Sequence, residues 1–180
     1  MKLKQALLNF AMIFVACSLS LLAYNKFYKQ KTAFIEIKKV FNAFHMKKEL
    51  EDKFKQTTKT REKIIDSLSF NLKLMSKQLT EQKKTKEGVN QEMVYQFEYR
   101  REEYLKLKER FGQDNAALSQ KYDGQILEQM TQYVMEYGKK NNYDLIFGAD
   151  GNGTLMHAND NYNISEEVIS YINNKYKGVE

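Results

Sequence analysis

The sequence predicts an α+β chain that is mostly α: a small β-sheet core, a long antiparallel coiled-coil helical hairpin, and an N-terminal transmembrane helix. Three observations lead there. The 180 residues hold no proline and only eight glycines, so little punctuates long helices. Apolar residues recur three or four apart through the middle, as in a narrow coiled-coil seam. Short alternating or apolar runs at the two ends of the body read as strands.

The first element is an apolar segment. From Gln5 to Asn25 no side chain is charged, while Lys2 and Lys4 precede it and Lys26, Lys29 and Lys31 follow. As a helix it would span about 31 Å, roughly one bilayer core. Leu7, Phe10, Ile13, Phe14, Val15, Leu19, Leu21 and Leu22 carry its apolar character. The exit YNKFYK suits the headgroup zone. Residues 1–31 are therefore expected to be a retained signal-anchor and a basic spacer. Two alternatives stand beside that. A cleaved signal peptide would use Ala23 or Ser20, neither of which offers a clean A-x-A site. Lipidation would use Cys17 in FVACS. Cys17 is the sole cysteine, which excludes an internal disulfide.

Residues 32–180 form the body, with 32–39 and 143–180 as the β core plus a C-terminal helix, and 40–142 as the helical hairpin. AFIEIK alternates apolar and polar, as a strand does. From Val40 to Glu87 the spacing is helical: Phe41, Phe44, Leu50, Phe54, Ile64, Ile65, Leu68, Leu72, Met75 and Leu79. KQTTKTREK, at 55–63, thins the stripe without a breaker. Gly88 marks a turn. Helical spacing then resumes at Met93, Phe97, Tyr104, Leu107 or Leu105, Phe111, Leu118, Tyr122, Ile126, Met130, Tyr133 and Tyr137. The second helix is expected to end at GKKNN, where lysines complement the helix dipole and asparagines can cap. YDLIFGA and TLMHA read as two strands, with DGNG as the hairpin turn between them. Ser165 is placed to cap a last helix whose stripe is Ile169, Ile172 and Tyr176.

These marks resemble the OmpH/Skp family of bacterial periplasmic chaperones over about residues 33–177. The most specific part is the ending, YDLIFGADGNGTLMHANDNYNISEEVISYINNKY. The early strand running into KKVFNAFHMKKELEDKF adds to it, whereas the helical middle is generic. The resemblance implies a homotrimer whose helical arms enclose unfolded outer-membrane proteins without ATP. It carries over no catalytic residue and no cofactor. The expected protein is thus not an enzyme but an ATP-independent holdase of the bacterial envelope, anchored in the inner membrane with its body in the periplasm. Signal cleavage would make it a soluble periplasmic protein instead. A scaffolding coiled-coil envelope protein that handles no clients is the alternative function.

Charge suggests where clients would touch. Residues 47–110 carry 17 Lys and Arg against 12 Asp and Glu, and residues 144–180 carry two lysines against six acids. A basic middle attracts acidic polypeptide, anionic lipid or lipopolysaccharide. Lys73, Lys77, Lys83, Lys84, Lys86, Arg100 and Arg101 are the candidate client contacts. No nucleic-acid partner is expected, because the cations are interleaved with acids and no binding module is present. His45 and His157 lack metal-ligand spacing. GADGNGT lacks the Lys-Ser/Thr of a phosphate loop and the later ligands of a calcium loop, so a metal or nucleotide role is not expected.

Overall fold

In a computed structural model of the chain, residues 10, 12–18, 20, 30–84 and 88–178 are described. Two compact units form: Met1–Val40 with Val134–Val168, and Phe41–Tyr133 with Ile169–Glu180. The elements in order are β1 (Thr32–Glu36), α1 (Ile37–Ala43), α2 (His45–Gln82), α3 (Gln91–Lys140), β2 (Leu145–Ala149), a 3₁₀ turn (Asp160–Tyr162) and α4 (Ser165–Tyr176).

The expected transmembrane helix finds no support here. Residues 12–18 are helical, and Phe10, Ile13, Phe14 and Val15 are exposed. Leu7, Leu19, Leu21 and Leu22 lie outside the described residues. Among the described residues no helix is long and apolar enough to cross a membrane.

The first unit is organised by β1. Its alternating residues Ala33 and Ile35 are buried, as are Val40, Ile164 and Val168 of the same unit. The strand ends at Glu36 rather than at residue 39. Ile37, instead of continuing the ladder, starts a helix and sits beside Gly148. A Cβ at Gly148 would lie 2.5 Å from Ile37 Cδ1, so the glycine is what allows this approach. β1 pairs with β2 in parallel, from Thr32↔Leu145 to Glu36↔Ala149. On its other side Phe34 bridges Asn163, and the Ile164 N–H donates to the Phe34 carbonyl at 3.0 Å.

This topology corrects the expected strand–turn–strand hairpin. TLMHA is not a strand: residues 151–155 are bends and 156–159 carry no regular structure. β1 is flanked by β2 and by the Asn163 bridge, and the segment does not pair with the open edge of β2 either. The turn chemistry agrees. Gly151 and Gly153 have φ of +81° and +92°, but Asn152 between them does not have positive φ. A two-residue primed turn needs two consecutive positive-φ residues or one at its first position followed by a returning strand. Here Asp150 Oδ1 accepts from the Asn152 N–H at 2.7 Å, a local Asx turn.

The ends of the first unit are closely tied. The Tyr143 N–H donates to the Gly138 carbonyl at 2.9 Å and Asn142 sits at φ +55°. That is a Schellman ending to α3 with asparagine in the left-handed position. Lys31 is clamped beside it. Its N–H donates to Asp144 Oδ2 at 2.6 Å, its Nζ donates to the Asn141 carbonyl at 2.8 Å, and Nζ stands 4.0 Å over the Tyr143 ring. Ser165 opens α4 without capping it. Its hydroxyl accepts from the Glu36 N–H at 2.9 Å, while Asn163 Oδ1 takes the Ser165 N–H at 3.0 Å.

The second unit contains the helix pair. The expected unbroken helix from Val40 is interrupted at Phe44, which is extended at φ −74° and ψ 124°. The cause lies 128 residues away. Asn173 Oδ1 accepts from the His45 N–H at 2.8 Å, and its Nδ2 donates to the Ala43 carbonyl at 3.0 Å. One carboxamide therefore serves the end of α1 and the start of α2, where helix groups lack intrahelical partners. Phe44 itself is buried between Tyr133 and Tyr176, with centroids 6.1 and 5.4 Å away in edge-to-face geometry.

α2 then runs for 38 residues, about 57 Å. The partners of successive α2 residues fall along α3. Phe44, just ahead of α2, meets Tyr133, Arg61 meets Asn115 and Asp114, and Gln82 Oε1 accepts from the Asn90 N–H just ahead of α3. The two helices thus run in opposite directions. Of the expected stripe, Leu50, Leu79, Ile126 and Met130 are buried, while Ile64 is exposed. The thin stretch at 55–63 is crossed by a polar contact. Arg61 bonds to Asn115, lies 3.7 Å from Asp114 and stands 5.4 Å from the Phe111 ring centroid. At the far end Gly88 turns the chain at φ +80°, and Asn90 Oδ1 caps α3 by accepting from the Met93 N–H at 3.1 Å. Gly112 and Gly124 lie inside α3 without interrupting it.

In α4 Ile172 of the expected stripe is buried, Ile169 and Tyr176 are half-buried, and Ser165, Val168 and Asn173 are buried beside them.

Candidate interaction surface

The candidate cations fall into two kinds. Lys84 pairs with Glu81 at 2.9 Å and Arg101 with Glu98 at 3.1 Å, each within one helical turn and well exposed. Such pairs contribute at most about 1 kcal/mol. Lys73, Lys77, Lys83 and Arg100 have no counter-ion among the described residues. Lys86 lies outside them. Lys73 and Lys77 stand one turn apart on α2, Lys83 follows its end, and Arg100 and Arg101 belong to α3. The cations thus cluster on the half of the helix pair that carries the turn.

Sequence reasoning missed the aromatic side chains that stand among them. Phe70, Tyr95 and Tyr99 are 61 %, 64 % and 60 % exposed, and Leu74 and Leu105 are also open. Their signal was present, since each falls off the three-and-four spacing of the seam. Tyr95 and Tyr99 are one turn apart on α3. Leu105 follows them, flanked by the Lys106–Glu102 pair at 2.6 Å. That contact raises the Lys106 ammonium pKa and lowers that of the Glu102 carboxyl, chiefly through the hydrogen bond between them.

A groove of about 650 Å³ opens between the helices near the turn. Leu74 and Met75 of α2 and Met93 of α3 supply apolar surface. Asn71, Gln78, Asn90, Glu92, Gln96 and Arg100 supply polar groups, one of them an anion and one a cation. Asn71, Gln78 and Arg100 make no side-chain hydrogen bond among the described residues.

The first unit offers a different surface. Leu145 and Phe147 of β2 are about half exposed, Met156 is 88 % exposed, and Tyr162 is open. The outer edge of β2 pairs with no strand among the described residues.

Among the described residues no cluster of His, Cys, Asp and Glu can hold a metal. His45 Nδ1 is buried without a partner, but no second donor group converges on it. His157 lies in the loop beside the β1–β2 sheet. The deepest change in proton affinity is at Tyr176. Burial, then its hydrogen bond to Glu49 at 2.8 Å and that carboxylate's charge, push the phenol up to about 12. That tyrosine joins α4 to α2 and faces no reacting group.

A family model described as outer membrane protein (OmpH-like) matches residues 31–172. No curated protein matches the chain.

Proposed function

The chain belongs to the OmpH-like outer membrane protein family, and from that premise we propose that it is a periplasmic holdase for unfolded outer-membrane proteins. It works without ATP and without a catalytic step. The observation that carries the reading is the exterior of the helix pair, where exposed Phe70, Tyr95 and Tyr99 stand among cations that lack counter-ions. A holdase needs many weak contacts rather than one deep pocket. Aromatic side chains give contact area at low entropic cost, and cations draw acidic chains over about 8–10 Å in physiological salt.

The working assembly is a homotrimer. The free edge of β2 and the exposed Leu145, Phe147 and Met156 support an interface on the first unit, since a bare apolar edge strand otherwise invites uncontrolled pairing. The apolar run at 5–25 tethers the body to the inner membrane. Intact mass of the membrane-extracted protein tests the tether, and loss of residues 1–23 would make the protein a soluble one.

The holdase reading is tested by light scattering. An unfolded outer-membrane β-barrel is diluted from urea into a molar excess of the chain. Scattering is expected to stay near the baseline. Scattering as high as in buffer alone overturns the reading and leaves a scaffolding role.

A further inference from the structure

We propose that the groove between α2 and α3 is a docking site for extended polypeptide in which carboxylates alternate with apolar side chains. The proposal rests on the holdase reading and adds to it a place and a chemical class. Three properties of the groove lead there. Leu74, Met75 and Met93 offer an apolar patch whose two thioethers adapt to side chains of different shape. Asn71 and Gln78 offer carboxamides that make no hydrogen bond among the described residues. A carboxamide both donates and accepts, as the backbone of an extended chain does. Arg100 adds a guanidinium without a counter-ion, a fork that fits a carboxylate.

The charge around the groove selects the occupant. Between Ser67 and Arg101 the sequence holds seven cations and four acids. Glu81 is paired with Lys84 and Glu98 with Arg101, whereas Glu92, which lines the groove, keeps its charge beside the Gln96 amide at 2.9 Å. Lys73, Lys77, Lys83 and Arg100 have no counter-ion among the described residues, so the unpaired charge of this stretch is still positive. These cations would repel a basic segment. A purely apolar one would draw nothing from them. An acidic and apolar chain matches both the cations and the apolar patch. Tyr95 and Tyr99 stand exposed on the same stretch of α3 without lining the groove.

The test is fluorescence anisotropy with the full chain and a short labelled peptide of alternating leucine and aspartate. Two counterparts carry serine or lysine in place of aspartate. The aspartate peptide is expected to bind at least about threefold tighter than the serine peptide, as one exposed charge pair allows. The lysine peptide is expected to bind weakest. Arg100→Gln should remove the preference for aspartate, and Met75→Gln with Met93→Gln should weaken all three peptides. A benzophenone on the aspartate peptide should cross-link to Met75 or Met93 of the unaltered chain, a readout that no folding defect can disturb. Equal affinity for the three peptides, or cross-links confined to other segments, overturns the proposal. So does binding only to anionic phospholipid vesicles. Suppression of aggregation by the unaltered chain is measured separately, so loss of the groove and loss of the holdase reading are told apart.

Discussion

At the scale of single residues, the positions that matter most here are small or polar ones. Asn173 is 9 % exposed and satisfies a carbonyl and an amide across the break at Phe44. Removing its carboxamide leaves both with no partner, at a cost of about 1–3 kcal/mol. Asn173→Ala should therefore lower the midpoint of urea unfolding, with Asn173→Asp recovering only the acceptor. Gly148 is constrained from outside by Ile37. Gly148→Ala forces that side chain or the strand to move, an overpacking cost of about 1–3 kcal/mol, and Ile37→Val in the same chain should restore part of it. Both costs are read as shifts in the urea midpoint at constant slope. Neither residue was legible in the sequence. An asparagine in a helical stretch and a glycine in an apolar run show their purpose only once a partner more than a hundred residues away is known.

Among elements, the helices were the legible part, because their apolar spacing is local and repeats many times. Boundaries were less so. The helix that begins at Ile37 rather than Val40 does so because Ile37 has Gly148 beside it. The strand assigned to TLMHA failed although the edge of β2 is open, because DGNG forms a local Asx turn rather than the primed turn that would fold the segment back. The gap in the stripe at 55–63 showed where the seam changes character but not what fills it. Arg61 does, and its worth is testable. Its contacts are partly exposed, so Arg61→Leu, which extends the apolar seam, should change stability by less than about 1 kcal/mol. Arg61→Ala, which also loses the stem over Phe111, should cost more. The attachment of α4 to α2 through Tyr176 and Glu49 predicts an alkaline dependence. The folded phenol titrates at about 12 against 10.0 for the free group. Its stabilisation is complete below pH 10 and is lost as pH rises toward 12. Urea midpoints measured across that window should fall for the native chain and fall less for Tyr176→Phe.

On the scale of the whole molecule, the class and family were readable because they rest on composition and on the distinctive ending. The sheet was not, since parallel pairing of the first strand with the last depends on everything between. The aromatic neighbours of the candidate cations were passed over, because the same residue types serve both seam and surface. The assembly has its own prediction. If β2 is the face by which copies meet, Phe147→Lys should place a charge on that face and lower the mass seen by sedimentation. Far-UV circular dichroism should be unchanged, as Phe147 is half exposed. Sedimentation at the same mass as the native chain would move the interface elsewhere.

The Asn173 bridge also sets an order of events. Synthesis delivers the chain from its N-terminus, so Ala43 and His45 emerge long before the residue that joins them. Until Asn173 arrives, the break at Phe44 has only water to satisfy it. A chain truncated after residue 172 would have its long helices able to form and the start of α2 still frayed. Hydrogen exchange at His45, fast in that truncated chain and slow once residue 173 is present, would tie closure of the break to the Asn173 carboxamide.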